Sequence, residues 1–132
     1  MLPAFSMPNS FAKPIDLAKE SPITLCLAYF FGLQERKIEL SKQMGVFGAV
    51  SPSSPGIAGL ENTKPWEYEA LKAVKDTYAQ RGLQWKVLEG TPSLEKVKLG
   101  LPGRDEEIDN FITLMKNMNK IGLDIFCYNW MP

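Results

Sequence analysis

Histidine is absent from all 132 residues of this chain. Imidazole is the side chain that titrates near neutrality and the commonest metal ligand, so its absence weakens any imidazole-base or metal-site proposal made from these residues alone. It also excludes a Ser-His-Asp set. Cysteine is scarce. Cys26 and Cys127 each sit in an apolar, strand-like run and read as small buried hydrophobes rather than as a disulfide or a catalytic thiol. Reduced thiols of that kind fit a cytoplasmic setting. An excess of charge is missing too: Lys+Arg and Asp+Glu both number 15, so nothing points to a nucleic-acid partner. No apolar run is long enough to span a bilayer, so no membrane partner is expected, and Met1 to Glu20 lacks the basic and apolar regions of a signal peptide. A phosphate loop is lacking as well. Gly56-Ile57-Ala58-Gly59 has neither the spacing nor the Lys-Ser/Thr pair that such loops need.

What the chain does contain is 45% hydrophobic residues, enough for one domain with a real core. Residues 1–22, with Pro3, Pro8, Pro14 and Pro22, read as an irregular leader with a short helical turn near Ile15 to Lys19. From residue 23 onward, strands and helices alternate. Ile23 to Phe30 is nearly continuous apolar and reads as a strand covered on both faces. A helix over Leu33 to Met44 has an inward stripe of Leu33, Leu40 and Met44. Val46 to Val50 is the second strand, and the stretch from Ser51 to Lys64 has no periodicity. Pro65 suits a first helical position, and the second helix runs to about Arg81, with Trp66, Ala70, Ala73, Val74 and Thr77 on one face, widened by Leu71 and Tyr78. Trp85 to Leu88 is the third strand. A loop from Gly90 to Arg104 leads to a helix over Asp105 to Ile121, where Ile108, Phe111, Ile112, Met115 and Met118 keep the i, i+3, i+4, i+7 rule. The fourth strand is Ile125 to Tyr128.

Met44-Gly45-Val46, Arg81-Gly82-Leu83 and Ile121-Gly122-Leu123 repeat one helix–Gly–strand corner at the spacing of successive βα units. Right-handed crossovers would make the strands of this β-α-β-α-β-α-β chain parallel. Either an open doubly wound sheet or a closed barrel fits. Both place ligands at the carboxyl ends of the strands.

Two polar residues end apolar strands there, Glu89 and Asn129. Each is a solvated strand exit or a group facing a polyol; Glu89 could also face a cation, and the Asn129 amide can both donate to and accept from a hydroxyl. Lys98 and Arg104 flank the loop at the same rim, as ordinary surface cations or as a grip on a carboxylate. Asp105, Glu106 and Glu107 crowd a helix's first turn, which its dipole explains better than a carboxylate dyad. Tyr29, Tyr128 and Trp130 read as core residues before sugar-stacking ones.

Four segments resemble the bacterial mannonate dehydratases. Trp85-Lys86-Val87-Leu88-Glu89-Gly90-Thr91-Pro92 is similar to that family's third strand, which ends in Glu-Ser-x-Pro. Lys98 to Asp105 resembles the loop that follows, and Ile108-Asp109-Asn110-Phe111 to Gly122 the next helix. The most specific piece is Cys127-Tyr128-Asn129-Trp130-Met131-Pro132, against Cys-Tyr-Asn-Phe-Met-Pro. Gly90 and Trp130 depart from the family's Ser and Phe, the first strand lacks its Arg-Trp-Tyr-Gly opening, and Ser51-Pro52-Ser53-Ser54 stands where a His-containing segment is typical.

The resemblance implies an α/β fold, the first half of a (β/α)8 TIM barrel of the xylose-isomerase-like kind, since a complete barrel takes roughly 250 residues. It implies dehydration of D-mannonate to 2-keto-3-deoxy-D-gluconate in hexuronate catabolism. It also implies Mn2+ or Fe2+ held by His, Cys and Asp from later strands, beyond Pro132. Glu89, Lys98, Arg104 and Asn129 would then bind a small-molecule sugar acid in a cytoplasmic enzyme that is a homo-oligomer at full length. A sugar isomerase or epimerase on the same barrel, or a small non-catalytic α/β ligand-binding domain, are the alternatives. The isolated chain is expected to be inactive and to associate through its unpaired strand edges.

Overall fold

The computed structural model describes residues 22–90 and 92–128, so residues 1–21 of the leader, Thr91, and Asn129 to Pro132 lie outside the described residues. Four strands, β1 (Cys26–Ala28), β2 (Gly48–Ser51), β3 (Gln84–Glu89) and β4 (Ile125–Cys127), form one sheet in that order. Every neighbouring pair is parallel. The connections carry helices α1 (Glu35–Gln43), α2 (Tyr68–Gln80), α3 (Glu95–Leu99) and α4 (Arg104–Lys120), with a 3-10 turn at Pro55–Ala58. The β-α-β-α-β-α-β order expected from the glycine repeat is therefore the order observed. Gly45, Gly82 and Gly122 each turn the corner from helix to strand at φ near +70° (71°, 73° and 66°), where a side chain would be strained.

The core lies between the sheet and its helices. Tyr29, Ala49, Trp85 and Leu88 from the strands meet Ile38 of α1, Leu71, Val74 and Tyr78 of α2, and Leu114 and Met118 of α4. Tyr78 packs between Tyr29 and Trp85, with ring centroids 5.8 and 6.3 Å away. The Trp85 indole donates to the carbonyl of Ser51 at 3.4 Å.

One irregularity in the sheet decides which way the rim points. Ala49 pairs with Trp85 but Val50 pairs with Val87, so Lys86 is an extra residue with no partner on β2. Side chains on a regular strand alternate, and residues three apart face opposite ways. The bulge at Lys86 resets that alternation, which is why both Trp85 and Leu88 are buried in the core. Beyond it, Val87 and Glu89 belong to the other face of the sheet, in line with Ile125 and Cys127 of β4.

Several expectations are corrected. The β1 run is an edge strand over Cys26–Ala28, extended by the bond from the Tyr29 N–H to the Val50 carbonyl (2.7 Å), and Ile23 and Leu25 are exposed rather than covered on both faces. On α1 the buried residues are Ile38 and Ser41, while Leu40 and Met44 point outward. Lys37 accounts for that rotation: its ammonium donates to the Ala28 carbonyl and lies over the Tyr29 ring. The second helix begins at Tyr68, after a turn closed from the Glu67 N–H to the Lys64 carbonyl (3.0 Å). On α4, Leu114 and Met118 are buried and Phe111 and Met115 half-buried, but Ile108 and Ile112 remain 39% and 42% exposed. Glu107 takes the inward position instead. Cys127 is exposed and Cys26 half-buried, because both belong to the face without helices. Tyr29 is a core residue as read, whereas Tyr128 is exposed and stacks on Phe126 (6.2 Å, 9°).

Candidate functional site

The carboxyl ends of the strands carry two long connections, and α4 pins both. After β2, the Ser53 hydroxyl donates to the Pro65 carbonyl (2.6 Å) and the Asn117 amide of α4 donates to the Trp66 carbonyl (3.0 Å). After β3, the chain expected to be a plain loop contains the short helix α3. Glu107, the fourth residue of α4, reaches across to it. Its carboxylate accepts from the Ser93 hydroxyl (3.0 Å) and from the backbone N–H groups of Lys96 (2.9 Å) and Val97 (3.1 Å). No side chain of α3's own N-cap residue, Leu94, satisfies those N–H groups. A carboxylate at the positive end of a helix satisfies orphan donors and the dipole together. Glu107 is 8% exposed, whereas Asp105 and Glu106 lie on the surface as the dipole reading places them.

Within this frame, Glu89 ends β3 half-buried, in register with Cys127 of the adjacent parallel strand. Lys98 lies in α3 with its side chain 19% exposed and is bonded to Glu95 at 2.9 Å. Arg104 opens α4 at the surface, 3.9 Å from Asp105. One connection, from the end of β3 to the start of α4, thus carries Glu89, Lys98 and Arg104. Asn129 lies outside the described residues. At this end, on the helix side of the sheet and so across it from Glu89, a cleft of about 130 Å3 opens between Pro52, Trp66, Leu88, Gly90 and Leu114. A larger groove of about 580 Å3 lies at the opposite end, along Thr24, Gln84, Lys86 and Asp124. Size favours that groove, but it faces the amino ends of the strands, where parallel α/β folds do not build ligand sites. Near it, burial pushes the Cys26 thiol up from its usual range, with Lys86 pulling the other way.

Among the described residues no three His, Cys, Asp or Glu side chains come close enough to hold a metal ion. The described residues therefore offer no ligand set for the divalent ion that the resemblance implies.

Sequence reasoning missed Glu107. The signal was available: residues 107, 111, 114, 118 and 121 form a heptad-like stripe, apolar except for its first member. An acid leading an inward stripe is a carboxylate with a buried partner.

Residues 24–132 match the family model described as D-mannonate dehydratase (UxuA). A mannonate dehydratase of Lactococcus lactis is 34% identical over 107 residues, which is 78% of this chain and 28% of that protein. One from Thermotoga maritima is 34% identical over 85 residues, 59% of this chain and 24% of the relative. The crystal structure of mannonate dehydratase from Streptococcus suis aligns with a TM-score of 0.69 at 27% identity, over 85% of this chain and 31% of that one. The chain spans less than a third of the length of the relatives it matches. The parallel β1-β2-β3-β4 sheet with its helices on one face is accordingly the first half of a TIM barrel rather than an open doubly wound sheet. With a family model matched over all its strands, the chain belongs to the D-mannonate dehydratase family.

Proposed function

We infer that this chain supplies the substrate-gripping first half of a D-mannonate dehydratase, a hydro-lyase that converts D-mannonate to 2-keto-3-deoxy-D-gluconate. The observation that supports it is the position of Glu89. The bulge at Lys86 turns Glu89 away from the apolar core and onto the helix-free face at the carboxyl end of β3. In a barrel that face is the interior, and its carboxyl end is where catalytic and binding residues collect. A carboxylate there accepts hydrogen bonds from sugar hydroxyls, and Lys98 and Arg104, farther along the connection, offer charge to the substrate carboxylate. Asn129 would contribute an amide from the neighbouring strand end. Mn2+ or Fe2+ would act as a Lewis acid held by residues beyond Pro132.

Two measurements test this reading. Millimolar D-mannonate should shift the backbone amide resonances of Glu89, Gly90, Lys98 and Arg104 in the 15N-labelled chain, and an aldose such as D-xylose should not. The chain supplied with Mn2+ or Fe2+ should give no 2-keto-3-deoxy-D-gluconate. An unmoved rim in the first, or measurable turnover in the second, contradicts the assignment.

A further inference from the structure

The short helix α3 is placed without help from the core. None of its residues is buried, and its own N-cap residue makes no side-chain bond to it. Backbone bonds from Gly100 to Val97 (3.3 Å) and from Leu101 to Lys96 (2.8 Å) end the helix, but they tie it only to its own continuation. A segment with so few buried contacts belongs to the least stable part of a fold unless something distant holds it. The Glu107 carboxylate supplies that hold, through Ser93, Lys96 and Val97, across 10 to 14 residues of chain.

The helix that carries Glu107 is itself fixed. Leu114 and Met118 of α4 are buried in the core, and Glu107 stands on the same stripe nearer the amino end. The rigidity of the core therefore reaches α3 through one carboxylate. Lys98 directly follows the two capped N–H groups, and its ammonium is bonded to Glu95 at 2.9 Å, so side chain and helix move together. Arg104 opens α4, three residues before Glu107. Between Lys98 and Arg104 the chain passes Gly100 and Gly103, at φ 65° and 87°, and has little stiffness of its own. Glu107 thus fixes the helix of one cation against the helix of the other.

That placement matters for an anion. Two cations grip a carboxylate well when they are held ready, and ordering them at the moment of binding costs affinity. An apparent dissociation constant is the intrinsic one divided by the population of the competent arrangement.

We propose that Glu107 is a positioning residue: it touches no substrate, and it holds Lys98 and Arg104 at the separation that receives the carboxylate of a sugar acid. This deepens the functional reading above and rests on it.

D-mannonate titrated into the 15N-labelled chain, followed at the Glu89, Gly90 and Arg104 amides, gives the dissociation constant. Glu107→Ala should raise it about tenfold, as for a placed state about one-tenth populated, and Glu107→Gln, which keeps one acceptor oxygen, by about threefold. In a Lys98→Met background Glu107 has no cation left to place, so adding Glu107→Ala should change the constant by less than about twofold. Gly48→Ala, a strain at the amino end of β2, is the control for general destabilisation and should leave the affinity unchanged. Circular dichroism confirms that each variant is folded at the titration temperature, and the milder Glu107→Gln carries the test if the alanine variant unfolds. Parent-like affinity in both Glu107 variants, an undiminished effect of Glu107→Ala in the Lys98→Met background, or an equal loss in Gly48→Ala would overturn the proposal while the parent still binds. A parent chain that D-mannonate does not shift would instead remove the functional reading, and this proposal with it.

Discussion

Replacing Glu107 by alanine removes the acceptor of three hydrogen bonds, from the Ser93 hydroxyl and the Lys96 and Val97 N–H groups. Hydrogen bonds to a charged group contribute roughly 1.5–3 kcal/mol each, but water can re-hydrate part of an opened loop. Loss of a helix cap alone costs about 0.5–2 kcal/mol. Together these give about 2–3 kcal/mol for Glu107→Ala, a large share of the roughly 5–15 kcal/mol that holds a domain folded. At about 4 °C per kcal/mol for a chain of this size, Tm should fall by about 8–12 °C. Glu107→Gln keeps one oxygen acceptor and should lose about half as much. Denaturant titration gives the global cost, and amide exchange shows where it falls. If α3 opens before the core does, Lys96 and Val97 exchange faster while Leu114 and Met118 stay protected. An alanine variant within about 0.5 kcal/mol of the parent, with Lys96 and Val97 exchange unchanged, would refute the capping role.

Gly48→Ala should destabilise by about 1–3 kcal/mol, since a Cβ there would run into the Cys26 thiol and the backbone carbonyl of Leu25. The carbonyl belongs to the chain leading into β1 and cannot swing away, so adding Cys26→Ala should not restore the urea midpoint. Burial pushes the Tyr78 phenol above the 10.0 of an unperturbed tyrosine, Tyr29 adding to the rise and a hydrogen bond with Ser51 opposing it. Between the unfolded and folded values the native state keeps a proton that the unfolded chain has lost. The stabilisation is therefore complete below about pH 10 and disappears as pH climbs through the folded value. Urea midpoints from pH 8 to 11 should fall less steeply for Tyr78→Phe than for the parent, and equal slopes would contradict the burial argument.

The sequence revealed the frame more readily than the faces. Gly45, Gly82 and Gly122 mark every helix-to-strand corner, because a left-handed turn tolerates little else, and strand order and direction followed from them. Residues 70, 71, 74, 77 and 78 were also read correctly as the inward face of α2, a helix packed against the sheet along its length. The faces of α1 and α4 were misjudged for a different reason. Leu40, Met44, Ile108 and Ile112 are apolar at helical spacing, but the sheet covers only one flank of each helix, and Lys37 and Glu107 set the rotation through bonds to distant backbone. Periodicity carries no record of such long-range polar anchors. Glu89 was legible as a polar strand end. Its orientation was not, because that depends on the partnering of Lys86 with β2.

Lys86 works as a parity spacer. Were it given a partner on β2, β3 would become a regular strand with one more paired residue, and every side chain beyond that point would change sides relative to Trp85. Leu88 would then leave the apolar layer for the barrel's interior, and the Glu89 carboxylate would be driven under the helices. Removing Lys86 altogether would instead leave Trp85, Val87, Leu88 and Glu89 alternating on the faces they occupy now. The strand's two faces therefore depend on residue 86 staying outside the ladder, not on the side chain it carries.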